Sequence, residues 1–135
     1  MAASTTILIA DRNSHVRMFL MREMMSFGYC VKLAGTGENV MTMADAPGSV
    51  DLLILDPDLP GLDTLSFLST MRAKHPALPI LLHTYRHHDE ASILGDGEGL
   101  TVIEKTGDSV ERIKEAVVKL LQPSAERQGE SDAVI

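Results

Sequence analysis

Asp51-Leu-Leu-Ile-Leu-Asp56, followed by Pro57-Asp-Leu-Pro-Gly-Leu-Asp63, is the stretch whose reading decides the fold. Four consecutive apolar residues lie between Asp51 and Asp56, with no polar alternation. A strand wetted on one face alternates apolar and polar side chains. A short unbroken apolar run closed by proline and glycine instead fits a parallel strand buried on both faces. Such a strand needs helices above and below the sheet, so the rest of the chain should alternate strands with helices.

Outward from this run the alternation holds. Ile7–Ala10 is a strand candidate, and Asn13 or Ser14 can cap a helix reaching about Phe27, stopped by Gly28. Tyr29–Ala34 reads as a second strand, with a helix from Gly37 to Ala46 ended by Pro47-Gly48. Asp63 can cap a helix over Thr64–Lys74; Pro79–His83 and Leu100–Glu104 are the fourth and fifth strands. Asp108 with Glu111 three residues on predicts a capping-box variant. Behind it Val110, Ile113, Val117, Leu120 and Leu121 form one apolar stripe. Right-handed crossovers then predict an α/β, doubly wound, flavodoxin-like three-layer sandwich with a five-stranded parallel sheet in the order 2-1-3-4-5. One domain is expected over residues 1–122, with a disordered polar tail over 123–135. Gly95, Gly97 and Gly99 predict a short, mobile helix within His87–Gly99, since each interior glycine costs about 1 kcal/mol.

Composition narrows the function. The 135 residues carry a net charge of -7, with the basic residues scattered, which speaks against a nucleic-acid surface. No apolar run approaches the ~20 residues of a membrane span, and Met1-Ala-Ala-Ser-Thr-Thr lacks the basic start of a signal peptide. One cysteine, Cys30, fits a reducing compartment and reads as a small buried strand residue, so a cytoplasmic location is expected.

In an open parallel sheet, reactive groups gather at the carboxyl ends of the strands. Asp11 follows the first strand, Asp56 the third, Thr84 the fourth and Lys105 the fifth. Two carboxylates, a hydroxyl and an ammonium at one edge suit phosphoryl transfer. A carboxylate can take the phosphoryl group as an acyl phosphate, carboxylates and a carbonyl can hold a divalent cation, and the ammonium and hydroxyl can meet the phosphoryl oxygens.

Ile7-Leu-Ile-Ala-Asp11, Gly37-Glu-Asn-Val40, Asp51–Asp56, Leu59-Pro-Gly-Leu-Asp63, Pro79-Ile-Leu-Leu-His-Thr84 and Lys105 together resemble the successive signatures of response-regulator receiver domains, over about Thr6 to Leu121. The resemblance implies that Asp56 is the phosphoacceptor and that Asp11, Asp56 and the backbone carbonyl of Asp58 bind Mg²⁺. It implies Thr84 as the switch hydroxyl and Lys105 as the phosphate-pairing lysine. A sensor histidine kinase or phosphotransfer protein would supply the phosphoryl group, and a downstream effector protein would read it. The domain itself would be a monomer or weak dimer, catalysing at most its own phosphorylation and dephosphorylation.

Four positions depart from the family's pattern. Arg12 stands where a second acidic residue is usual, which should weaken Mg²⁺; its guanidinium either replaces part of the metal's charge or points to solvent. Val102 replaces the usual aromatic of the fifth strand, so a rotating tyrosine cannot operate there. Tyr85 follows Thr84 where a small residue is usual, either crowding the donor's path or folding onto the surface. Thr106 replaces the usual proline after the lysine, and a trans peptide is expected. A pseudo-receiver that works by binding without phosphorylation therefore stays open as an alternative.

Asp56-Pro-Asp58 also matches the Asp-x-Asp of haloacid-dehalogenase-type phosphohydrolases, but it lies on the third strand, and paired acidic residues after the lysine are missing. A flavin-binding flavodoxin fares worse, because Asp11-Arg-Asn-Ser-His15 has no glycine-rich phosphate cradle. His83, His87 and His88 match no standard zinc spacing; His87 and His88 read as exposed loop histidines, with His15 and His75 as isolated surface residues. Met18, Met21, Met24 and Met25 on the first helix, with Met41 and Met43 on the second, read either as adaptable core filling or as a soft docking surface.

Overall fold

The computed structural model describes residues 4–46, 48–85 and 100–121. The elements follow in the order β1 (Thr6–Ala10), α1 (Ser14–Ser26), β2 (Cys30–Ala34), α2 (Gly37–Asp45), β3 (Leu52–Leu55), α3 (Thr64–Lys74), β4 (Ile80–Thr84), β5 (Leu100–Glu104) and α4 (Ser109–Leu120). All five strands are parallel, in the order β2-β1-β3-β4-β5, as the alternation of apolar runs and helical stripes predicts. The expected helix within His87–Gly99 and the expected disordered tail lie outside the described residues.

Side chains of the central strands alternate between two cores. Leu8, Ala10, Leu53, Leu55 and Leu82 pack with Val40, Ala44, Phe67, Leu68 and Met71 of α2 and α3. Ile7, Ile9, Leu52, Ile54 and Leu81 pack on the other face with Leu20 and Met24 of α1 and Ile113 and Val117 of α4. β3 is buried at all four residues, which is why it shows no polar alternation. Burying each such large aliphatic side chain contributes about 1.5–3 kcal/mol before the entropy of ordering the chain is set against it.

The local signals act as expected at three helix starts and stops. Asn13 Oδ1 accepts the N–H groups of His15 and Val16, and Asp63 Oδ1 that of Ser66. Gly28, at φ 92°, turns the chain out of α1. Gly37 answers a different need, because a Cβ there would lie 2.4 Å from the carbonyl oxygen of Gly61. Its N–H donates to the Pro60 carbonyl at 2.8 Å, so the start of α2 presses against the loop that follows β3.

Three expectations are corrected. Cys30 is exposed, because β2 is an edge strand whose residues alternate in burial. Asp108 makes no side-chain cap bond to α4; its carboxylate instead accepts the Thr106 hydroxyl at 2.6 Å. His75 is not isolated, since its Nε2 lies 3.3 Å from Asp45 Oδ1, joining the ends of α2 and α3. Among the methionines, Met24 fills the core while Met18 and Met25 remain exposed beside Phe19 on α1.

Candidate functional site

The carboxyl ends of β1, β3 and β5 deliver Asp11, Asp56 and Lys105 to one cluster. Asp56 is 1% exposed; its N–H donates to the Ala10 carbonyl, which fixes it beside the end of β1. Oδ1 accepts the Asp58 N–H at 3.0 Å. Oδ2 faces three donors: the Arg12 N–H at 3.3 Å, Lys105 Nζ at 3.4 Å and Arg12 Nε at 3.6 Å. The buried nucleophile candidate is thus held by a backbone N–H on each oxygen, with both cations on Oδ2.

Asp11 is 2% exposed and turns one oxygen each way. Oδ1 accepts the Asn13 N–H at 2.9 Å, the local bond that starts the turn into α1, and Oδ2 lies 3.1 Å from Lys105 Nζ. Burial pushes its carboxyl above the usual carboxylate range, against the pull of the Asn13 N–H and Lys105. Arg17, one turn into α1, crosses over Gly35 to donate to the Asp11 carbonyl. Sequence reading missed Arg17; its place one helical turn beyond the strand end is the signal that could have found it.

Arg12, half exposed, leans onto the acidic cluster. Its Nη2 lies 3.9 Å from Asp58 Oδ2, so the guanidinium stands between the carboxylates of Asp56 and Asp58. Three carboxylates here face two cations, Arg12 and Lys105. Among the described residues, no group of three or more histidine, cysteine or acidic side chains is arranged to hold a metal ion. The donor set fits a divalent ion poorly as it stands, because the inward carboxylate oxygens are already taken by Arg12 and Lys105.

Thr84 ends β4 and is buried; its carbonyl accepts the Lys105 N–H at 2.8 Å, placing the two residues side by side on neighbouring strands. Tyr85 is 65% exposed, with its ring centroid 5.3 Å from Lys105 Nζ, so the ring lies over the ammonium at the surface. Val102 packs against the α2–α3 core. No peptide bond among the described residues is cis, as expected with Thr106 in place of proline.

His83 falls in the fourth strand, as the reading of Pro79–His83 expects. It is 3% exposed on β4, which has β3 and β5 as neighbours, and its Nε2 lies 2.9 Å from Ser109 Oγ. Nδ1 is buried and finds no hydrogen-bond partner among the described residues. Burial, followed by the nearby Lys105 charge, holds its pKa down to about 4. His87 and His88 lie outside the described residues.

Comparison with known proteins bears on the family and the fold. The response regulator TrrA of Thermotoga maritima, solved in complex with Mg²⁺-BeF, superimposes with a TM-score of 0.70 at 30% identity, covering 87% of this chain and 99% of that one. TrrA has also been solved in complex with the histidine kinase ThkA. The DNA-binding transcriptional regulator NtrC of Salmonella typhimurium is 27% identical over 93 residues, and the sensor kinase CckA of Brucella abortus is 30% identical over 82. Those matches cover 69% and 60% of this chain but only 20% of NtrC and 9% of CckA. The family described as the response regulator receiver domain matches residues 7–117. With that match spanning most of its length, and the parallel sheet in the order 2-1-3-4-5, the chain belongs to the response regulator receiver domains of two-component systems.

Proposed function

We propose that this receiver domain accepts a phosphoryl group on Asp56 from a histidine kinase or phosphotransfer protein and passes the signal to a downstream effector protein. The observation that carries the reading is the buried Asp56 carboxylate at the end of β3, with Lys105 3.4 Å from one oxygen and the Asp58 N–H on the other. A carboxylate oxygen of Asp56 attacks the phosphorus of a phosphohistidine, the N–P bond breaks, and the imidazole leaves with the bonding pair. Lys105 then faces the new phosphoryl oxygens as a point charge, and the Thr84 hydroxyl donates to one of them. The backbone bond between Lys105 and Thr84 couples the two, so a phosphoryl group held by one is felt at the other.

Mg²⁺, with Asp11, Asp56 and the Asp58 carbonyl as its ligands, would offset phosphoryl charge when bound, but Arg12 makes its binding weak. The partner assignment is supported by the kinase complex of TrrA. Among the described residues no helix is long and apolar enough to cross a membrane. In this reading the domain works in the cytoplasm as a monomer or weak dimer. It turns over no substrate beyond its own phosphorylation and dephosphorylation.

One observation favours a second reading, a protein-binding module that is never phosphorylated: Asp56 Oδ2 already faces Arg12 and Lys105. Intact mass after incubation with acetyl phosphate and Mg²⁺, beside an Asp56→Asn control, separates the two. A phosphoryl mass on the wild type alone supports the phosphoacceptor. No added mass over a range of donor and Mg²⁺ concentrations leaves the binding module.

A further inference from the structure

We infer that the guanidinium of Arg12 is the resident cation of this acidic site, a rival to any divalent ion and a direct ligand for the anion carried on Asp56. The part that concerns divalent ions stands alone, while the part that concerns the bound anion rests on the phosphoacceptor reading.

The backbone fixes the position. Arg12 follows Asp11 at the end of β1, and its N–H donates to Asp56 Oδ2 at 3.3 Å, so the side chain starts at the mouth of the site. From there Nε stands 3.6 Å from Asp56 Oδ2 and Nη2 3.9 Å from Asp58 Oδ2. Lys105 reaches Asp11 Oδ2 and the same Asp56 Oδ2. A Mg²⁺ ion would need several oxygens at about 2.1 Å in near-octahedral order, and so would have to displace the guanidinium from between them.

Arg12 is suited to both tasks. Its side chain is 48% exposed, so it is held by charge and can rotate outward without disturbing the core. Its planar fork can donate two parallel N–H bonds to a phosphoryl group, which a spherical cation cannot do. When Asp56 carries a phosphoryl group, two cations of the protein, Lys105 and Arg12, meet the added charge.

Two measurements on the whole chain test this. The first is Mn²⁺ affinity, followed by electron paramagnetic resonance at fixed ionic strength, in the wild type and in Arg12→Ala and Arg12→Asp. Arg12→Ala should bind Mn²⁺ about tenfold tighter than the wild type, more than the loss of an ordinary exposed charge gives, and Arg12→Asp tighter still. Affinities of wild type and Arg12→Ala within about twofold of each other overturn the inference.

The second is the rate of mass gain from acetyl phosphate, where Asp56 attacks phosphorus and acetate leaves, with EDTA or with Mg²⁺. The wild type should label in EDTA within about threefold of its rate in Mg²⁺, whereas Arg12→Ala should label only with Mg²⁺. Labelling of the wild type in Mg²⁺ alone overturns the inference and leaves Asp56 as phosphoacceptor. No labelling of any form, together with the tightened Mn²⁺ binding, removes the phosphoacceptor and leaves Arg12 as the rival of the metal.

Discussion

The ammonium of Lys105 lies 3.1 Å from Asp11 Oδ2, joining the end of edge strand β5 to β1 across the two strands between them. The lysine side chain is 8% exposed, so this pair and its companion to Asp56 are shielded from solvent. Removing one partner of a buried pair leaves an uncompensated charge. Lys105→Met should cost about 3 kcal/mol in urea unfolding near neutral pH. Adding Asp11→Asn should cost less than the sum of the single changes, because it removes a charge that Lys105→Met strands.

His83 sets an acid limit on stability. Its pKa stands at about 4 in the folded chain, against 6.5 for an ordinary histidine, so between those values the unfolded chain binds the extra proton. Stability from His83 is therefore complete above about pH 6.5 and declines as pH falls towards 4, by up to about 3 kcal/mol. The buried carboxyl of Asp11, raised in pKa, acts in the opposite sense, so wild type should be compared with His83→Gln. The difference in their urea midpoints should narrow on acidification from pH 7 to 5. A constant difference would contradict the buried neutral imidazole.

Gly37→Ala should be severely destabilising. The added carbon would meet the Gly61 carbonyl at 2.4 Å and the Leu62 nitrogen at 2.7 Å, both backbone atoms, so α2 or the loop after β3 must shift. A loss above about 2 kcal/mol is expected. Gly28→Ala meets open space and only the strain of φ 92°, and should cost about 1 kcal/mol. Paired denaturant curves for the two variants rank the effects.

Cys30 should react with Ellman's reagent in the native protein at a rate close to that of a small thiol, since it is exposed on β2. A thiol that reacts only after denaturant is added would return Cys30 to the interior.

The strands and most of the site were legible because both follow from local pattern. The unbroken apolar run of β3 is a direct imprint of burial on two faces, and the residue after each strand lies at the same edge of a parallel sheet whatever its identity. What was misread depends on neighbours that are distant in sequence. Cys30 looked like a core residue until β2 was set at the edge, although the expected strand order already placed it there. The buried partner of His83 could not be read although its strand was, because that partner, Ser109, comes from the start of α4. The direction of Arg12 could not be read because it is set by carboxylates on another strand end and its loop.

Arg12 sits one residue beyond Asp11, half in solvent, with its guanidinium on Asp56 and Asp58 and outside both apolar cores. A single codon at that position can thus change the charge of the site while the folding problem is left untouched. With Arg12 as the proposed cation of the site, metal dependence would be a trait that can be gained or lost on its own, and a lineage of such domains could explore ion-requiring and ion-free signalling without passing through an unfolded ancestor.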